Sequence, residues 1–165
     1  MMEEFWYFLF DTAYSDYIRF SLWGYPIFET LHLIGVALLF GSIALTDLRM
    51  LGCARTISAS RLTGGFLLHF TWIGFAIVAF SGISLFMAYA PDNAENPVFI
   101  VKMLLIVAAG INAVFFHLRV YSGIADWDVD RPSPLAARLS TGLSMTLWIL
   151  TVAAGRLIAY PDLFV

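Results

Sequence analysis

Charge is what this sequence has least of. Only 13% of its 165 residues are Asp, Glu, Lys or Arg, against roughly 25% in an ordinary soluble chain. Hydrophobic residues make up 61%. A soluble globular domain needs more polar surface than this, and a disordered chain needs far more charge. Basic residues are not in excess either. The net charge of −3 excludes a nucleic-acid binder built on a basic patch. The single cysteine, Cys53, excludes an intrachain disulfide and says little about compartment. The start Met1-Met2-Glu3-Glu4 is acidic, where a secretory leader is basic.

What the chain does have is long uncharged runs. No Asp, Glu, Lys or Arg lies between Arg61 and Asp92, and similar gaps run from Glu29 to Asp47, Lys102 to Arg119 and Arg138 to Arg156. A membrane span needs roughly 20 mostly apolar residues. The gaps predict spans at residues 26–46, 66–90, 98–121 and 139–160. All four are expected to be helices, because lipid offers no partner to an unpaired backbone group. Pro26 and Pro97 stand where helices begin, and Pro91 and Pro161 follow helix ends. Trp23, Tyr25, Tyr89, Tyr121 and Tyr160 fall at the span ends, where amphipathic rings prefer the interface.

Residues 3–22 join the run Phe5 to Phe10 to Asp11, Asp16 and Arg19. This predicts an interfacial amphipathic helix, or an apolar arm that packs on a neighbouring subunit. The expected fold is therefore all-α, an integral membrane four-helix bundle with an N-terminal surface helix, forming one domain. Arg49, Arg55, Arg61, Arg119, Arg131 and Arg138 flank the loops after spans one and three, against Arg19, Lys102 and Arg156 at the other side. The excess of base marks the first set as cytoplasmic. Both termini are then expected in the periplasm of a bacterial inner membrane. The aromatic arm and the small-residue helix faces point to a homo-oligomer in the lipid bilayer.

Ionisable groups are costly in a bilayer, so each one inside a span is a functional candidate. Glu29, His32, Lys102 and Arg156 are predicted at the outer side, His69 and His117 at matching depths on the inner side. Met103, Ile106, Gly110, Ala113 and His117 recur at helical spacing and share one face. Gly110 and Ala113 leave space beside His117. Small residues near histidines, Gly35 near His32 among them, make room for a flat macrocycle and equally let helices approach closely. Two facing histidines on different helices are a usual way to hold a b-type haem. The expectation is one or two haems b per protomer: His69 and His117 hold one, and His32, with Met103 as second ligand or Glu29 as partner, serves another haem or a metal. Lys102, Arg156 and Arg49 are placed to neutralise propionates or a bound anion. Asn112 is expected to hydrogen-bond across helices or to touch a quinone. The predicted activity is electron transfer, with a quinone or a redox partner; if the protein is an enzyme, it is a membrane oxidoreductase.

Three other chemistries compete. Glu29-Thr-Leu-His32 has the spacing of a di-iron helix, but that site needs a second copy and two more glutamates, which the spans lack. His32 and Met103 could handle copper. Glu29, Lys102 and Arg156 could instead form a buried ion-pair cluster in a non-redox transporter or assembly subunit. Asp126-Trp-Asp-Val-Asp130 starts like a calcium loop but has Arg131 at the turn glycine and Ala137 at the closing glutamate.

The run Pro26-Ile-Phe-Glu29-Thr-Leu-His32-Leu-Ile-Gly35, with Gly41 and Asp47-Leu-Arg49-Met-Leu-Gly52, resembles a family of small bacterial four-span inner-membrane proteins of unassigned activity. Trp72-Ile-Gly74-Phe75, Ser81-Gly82-Ile-Ser-Leu-Phe86, Asn96-Pro-Val-Phe99, Lys102, Ala109-Gly110-Ile-Asn112 and Phe116-His117 continue the likeness. More distantly, His32 and Lys102 are similar to the span-one histidine and span-three lysine of CopD copper-resistance proteins and of HemJ-type protoporphyrinogen oxidases. The HemJ likeness implies His32 as a haem ligand and Lys102 as an active-site cation; the CopD likeness implies copper handling.

Overall fold

The computed structural model describes residues 2–53 and 55–160. Pro161 lies outside the described residues. Among these the chain is helical, with no strand. Its helices are α1 (Met2–Phe10), α2 (Ala13–Phe20), α3 (Gly24–Leu51), α4 (Ala59–Gly64), α5 (Phe66–Ala88), α6 (Ala90–Glu95), α7 (Pro97–Phe115) and α8 (Leu135–Leu157). Between α7 and α8 come a π-helical turn, Phe116–Val120, and a 3-10 turn, Tyr121–Trp127. Four stretches are long and apolar enough to cross a membrane: Gly24–Leu51, Ala59–Ala88, Pro97–Trp127 and Leu135–Leu157. This is an all-α membrane bundle. Large apolar side chains such as Leu33, Trp72, Leu104 and Ile111 point outward along these helices, as they do where lipid is the solvent.

Small residues set the closest contact. Helix α3 lies along α5, and a Cβ at Gly74 would stand 2.5 Å from the Leu39 backbone nitrogen. One at Gly35 would stand 2.9 Å from the Val78 nitrogen. The two backbones touch, so Gly35 serves helix approach rather than ligand space. Helix α7 packs on α8, and α3 also packs on α8, whereas α5 and α7 form no such packed pair. They meet at one end, where Phe86 stacks on Phe99 with ring centres 5.2 Å apart.

The N-terminal segment is two short helices, not one. Thr12 interrupts it: its backbone is extended, and its hydroxyl accepts from the Ser15 amide at 3.2 Å, capping α2. Arg19 holds the pair against α5. Its guanidinium donates to the Ala88 carbonyl at 3.0 Å and lies 3.5 Å from the centre of the Phe10 ring. Tyr14 bonds Ser84 on α5 at 2.8 Å. We call this the terminal end of the bundle.

The opposite, loop end carries the buried apolar core: Met50, Ala59, Phe116, Val120, Ile124, Trp127 and Ala137. Helix α3 runs on to Leu51, beyond the predicted limit at residue 46, and its terminal cation finds partners inside the protein. Arg49 is only 2% exposed. It donates from Nε to the Ile57 carbonyl at 2.6 Å and from Nη2 to the Asp128 carbonyl at 2.7 Å. The Asp128 carboxylate in turn accepts from the Ser60 amide at 2.7 Å and from the Ser58 hydroxyl at 2.9 Å. One clasp thus ties both loops to α3.

The Ser60 amide, helped by Ser58, holds the Asp128 carboxyl below the usual carboxylate range. A depressed value in the folded state means that the clasp is fully stabilising above the unfolded value of about 3.9, and that its contribution fades as pH falls through the lower folded value. Hydrogen exchange at the Ser60 amide should therefore be protected at neutral pH and lose protection below about pH 4. Protection that persists unchanged at lower pH would refute the coupling.

Candidate functional site

His32 sits inside the bundle, on α3 and half-buried. Its Nδ1 lies 3.1 Å from Ser81 Oγ on α5. The Ser81 hydroxyl also reaches the Ile77 carbonyl at 2.6 Å; with its proton there, the serine oxygen accepts from His32 Nδ1–H. A neutral His32 ring then carries its lone pair on Nε2. Gly82 gives the ring its place: a Cβ there would be 3.1 Å from the imidazole Cε1. From the other side, α7 brings Lys102 into the electrostatic reach of His32. Gly155 on α8 borders the lysine, and a Cβ there would be in ordinary contact with Nζ at 3.5 Å. Four helices thus converge on one imidazole and one ammonium.

The other members of the expected outer group stay outside. Glu29 is exposed, one turn before His32. Arg156 is exposed and donates to the Tyr160 hydroxyl at 3.2 Å. Among the described residues no ion pair joins Glu29, Lys102 and Arg156. Met103 is 44% exposed. No group of three or more His, Cys, Asp or Glu side chains gathers into a metal site among the described residues.

His69 and His117 lie at the loop end, and both are exposed. His69 Nδ1 meets the Gly65 carbonyl at 3.2 Å, and His117 Nδ1 meets the Ala113 carbonyl at 2.9 Å. A carbonyl only accepts, so each Nδ1 donates, and each neutral ring keeps its Nε2 lone pair free. Tyr121 links their surroundings. Its ring stacks on His117 with centres 5.7 Å apart, and its hydroxyl would be 2.6 Å from a Cβ at Gly64, next to Gly65. His117 belongs to the π turn that ends α7, a widening often found at functional sites. Gly110, two turns before it, has nothing within 4 Å of an added Cβ.

Arg49 and Asn112 are already committed within the protein. Arg49 serves the loop clasp, with Nη1 left without a partner. Asn112 donates to the Ser140 carbonyl and accepts from the Ser140 hydroxyl, each at 3.0 Å, across α7 and α8. Sequence reasoning missed Ser81 and Gly82 as site residues. Ser81 and Gly82 were visible only as part of a motif; nothing local ties them to a histidine 49 residues away.

A family model matches residues 6–161, nearly the whole chain. The protein belongs to DUF6644, a family of unknown function. The DUF6644 match takes in all four spans, the clasp and every histidine. No curated protein and no solved structure matches the chain.

Proposed function

We propose that this DUF6644 protein is a membrane-bound b-type haem protein that carries electrons, with a quinone or a protein redox partner at one end of the route. One observation carries the reading: all three span histidines place Nδ1 within hydrogen-bonding distance of an oxygen of their own bundle. Each donates Nδ1–H to a group of its own bundle and leaves the Nε2 lone pair available. Ligating histidines are oriented by this kind of bond, which fixes the tautomer and raises the basicity of the other nitrogen.

Bonded Nδ1 atoms and open space beside Gly110 support the group. His69 and His117 are the ligands of choice for a haem at the loop end, where α5 and α7 stay unpacked and Gly110 leaves open space. His32 is the ligand for a second haem or metal nearer the terminal end. Haem supplies reversible one-electron reduction in an apolar site. The chain's own residues do the rest. Gly65, Ala113 and Ser81 orient the rings, and Lys102 offsets the charge of an acidic group beside His32. The resemblance of His32 and Lys102 to the HemJ type is in keeping with His32 as a haem ligand. The location we infer is a bacterial inner membrane, with both termini periplasmic and the chain assembled as a homo-oligomer.

The test is spectroscopic. His69→Ala and His117→Ala should each abolish a low-spin haem spectrum in protein that still folds, while His32→Ala leaves the loop-end haem intact. Loss in His32→Ala alone would overturn the assignment of the pair.

A further inference from the structure

A second buried group has no part in the haem reading. Asp47 on α3 is 5% exposed, and its Oδ2 has no hydrogen-bond partner among the described residues. The neighbour that reaches its carboxyl is the Ser144 hydroxyl, from α8. We propose that Asp47, with Ser144, is a proton-binding site inside the membrane bundle. The inference stands whether or not the protein holds haem.

The charged and titratable groups of every neighbouring element are turned elsewhere. Arg49, two residues on, points into the loop clasp and is bonded to Ile57 and Asp128. Arg138 on α8, Arg61 on α4 and Arg119 in the π turn are exposed. His69 on α5 is bonded to Gly65, and His117 to Ala113. Lys102 lies with His32 towards the terminal end. A carboxylate closed off from water, with a neutral hydroxyl and no cation, is costly, and protonation removes that cost. A metal cation would need several oxygen ligands around it, and no cluster of acidic side chains forms here among the described residues. A single carboxyl beside one hydroxyl suits a proton. Asp47 is one turn from the end of α3 at Leu51, close to the loops through which the proton would exchange with water.

Dicyclohexylcarbodiimide, an apolar reagent for protonated carboxyls, reads this out. The carboxyl proton moves to a carbodiimide nitrogen, the carboxylate oxygen adds to the central carbon, and the adduct rearranges to a stable acylurea with no leaving group. The full chain in detergent is treated and mapped by mass spectrometry. The expected result is an adduct on Asp47 in clear excess over exposed Asp92 and Glu95. It should fade as the medium is made alkaline and stay unchanged when choline chloride is replaced by sodium or potassium chloride. Asp47→Asn should lose that adduct; if the variant does not fold, mapping on the natural sequence decides alone. An unmodified Asp47 in labelled, folded protein overturns the proposal. Protection by sodium or potassium also overturns it, by making the site one for a metal cation.

Discussion

Gly74→Leu will force α3 and α5 apart and lower the stability of the detergent-solubilised protein by about 3 kcal/mol, the upper end of overpacking costs. The reason is contact between backbones. A Cβ at Gly74 already falls 2.5 Å from the Leu39 nitrogen and 3.0 Å from the Gly35 carbonyl oxygen, so no side-chain rotation relieves it. A leucine adds three more carbons in the same direction. Gly41 on the same α3 helix supplies the control, because an added Cβ there has nothing within 4 Å. Gly41→Ala should be neutral or gain up to about 1 kcal/mol from helix propensity. Thermal unfolding of the two variants beside the parent decides. Equal loss in both, or loss in neither, would mean that the crossing at Gly35 and Gly74 does not hold the bundle.

The next largest effect is expected at Arg49. Arg49→Ala removes two charge-assisted hydrogen bonds, leaving the Ile57 carbonyl without its guanidinium donor and the Asp128 carbonyl with the Ala59 amide alone. At about 1.5 kcal/mol or more for each such bond, the loss is about 3 kcal/mol. It should be concentrated at the loop end. Residues 55–58 and 128–134 should become open to protease, while the Gly35–Gly74 crossing stays closed. Arg49→Lys should recover little, because an ammonium cannot reproduce the fork of a guanidinium that reaches two carbonyls at once. Proteolysis rates in Arg49→Ala that equal those of the parent would contradict the clasp.

The spans were legible because lipid penalises charge so strongly that gaps between charged residues mark them. The same logic does not reach the end of helix α3 at Leu51. It treats Asp47 and Arg49 as polar flanks, whereas both are buried, Arg49 in the loop clasp and Asp47 against Ser144. The break at Thr12 depends on a cap bond to Ser15, which the strong apolar run before it conceals. Among site residues, inward-facing His32 was legible as an ionisable group in a span. Its partners were not, because pairing His32 with Ser81 needs the register of α3 against α5. The proposed cluster of Glu29, Lys102 and Arg156 rested on equal depth alone. Equal depth does not make side chains face one another, and only Lys102 turns towards His32. Small residues were ambiguous for the same reason. Gly35 and Gly110 look alike in sequence, yet one touches the Val78 backbone and the other borders open space.

Whether these histidines bind haem through Nε2 is decided by the reduced-minus-oxidised absorption spectrum of the purified full chain. Reduction should bring up the sharp α band of low-spin, bis-histidine b-type haem, with iron and protoporphyrin co-purifying in a fixed ratio to protein. A folded, colourless preparation free of iron, from cells able to supply haem, would contradict haem binding.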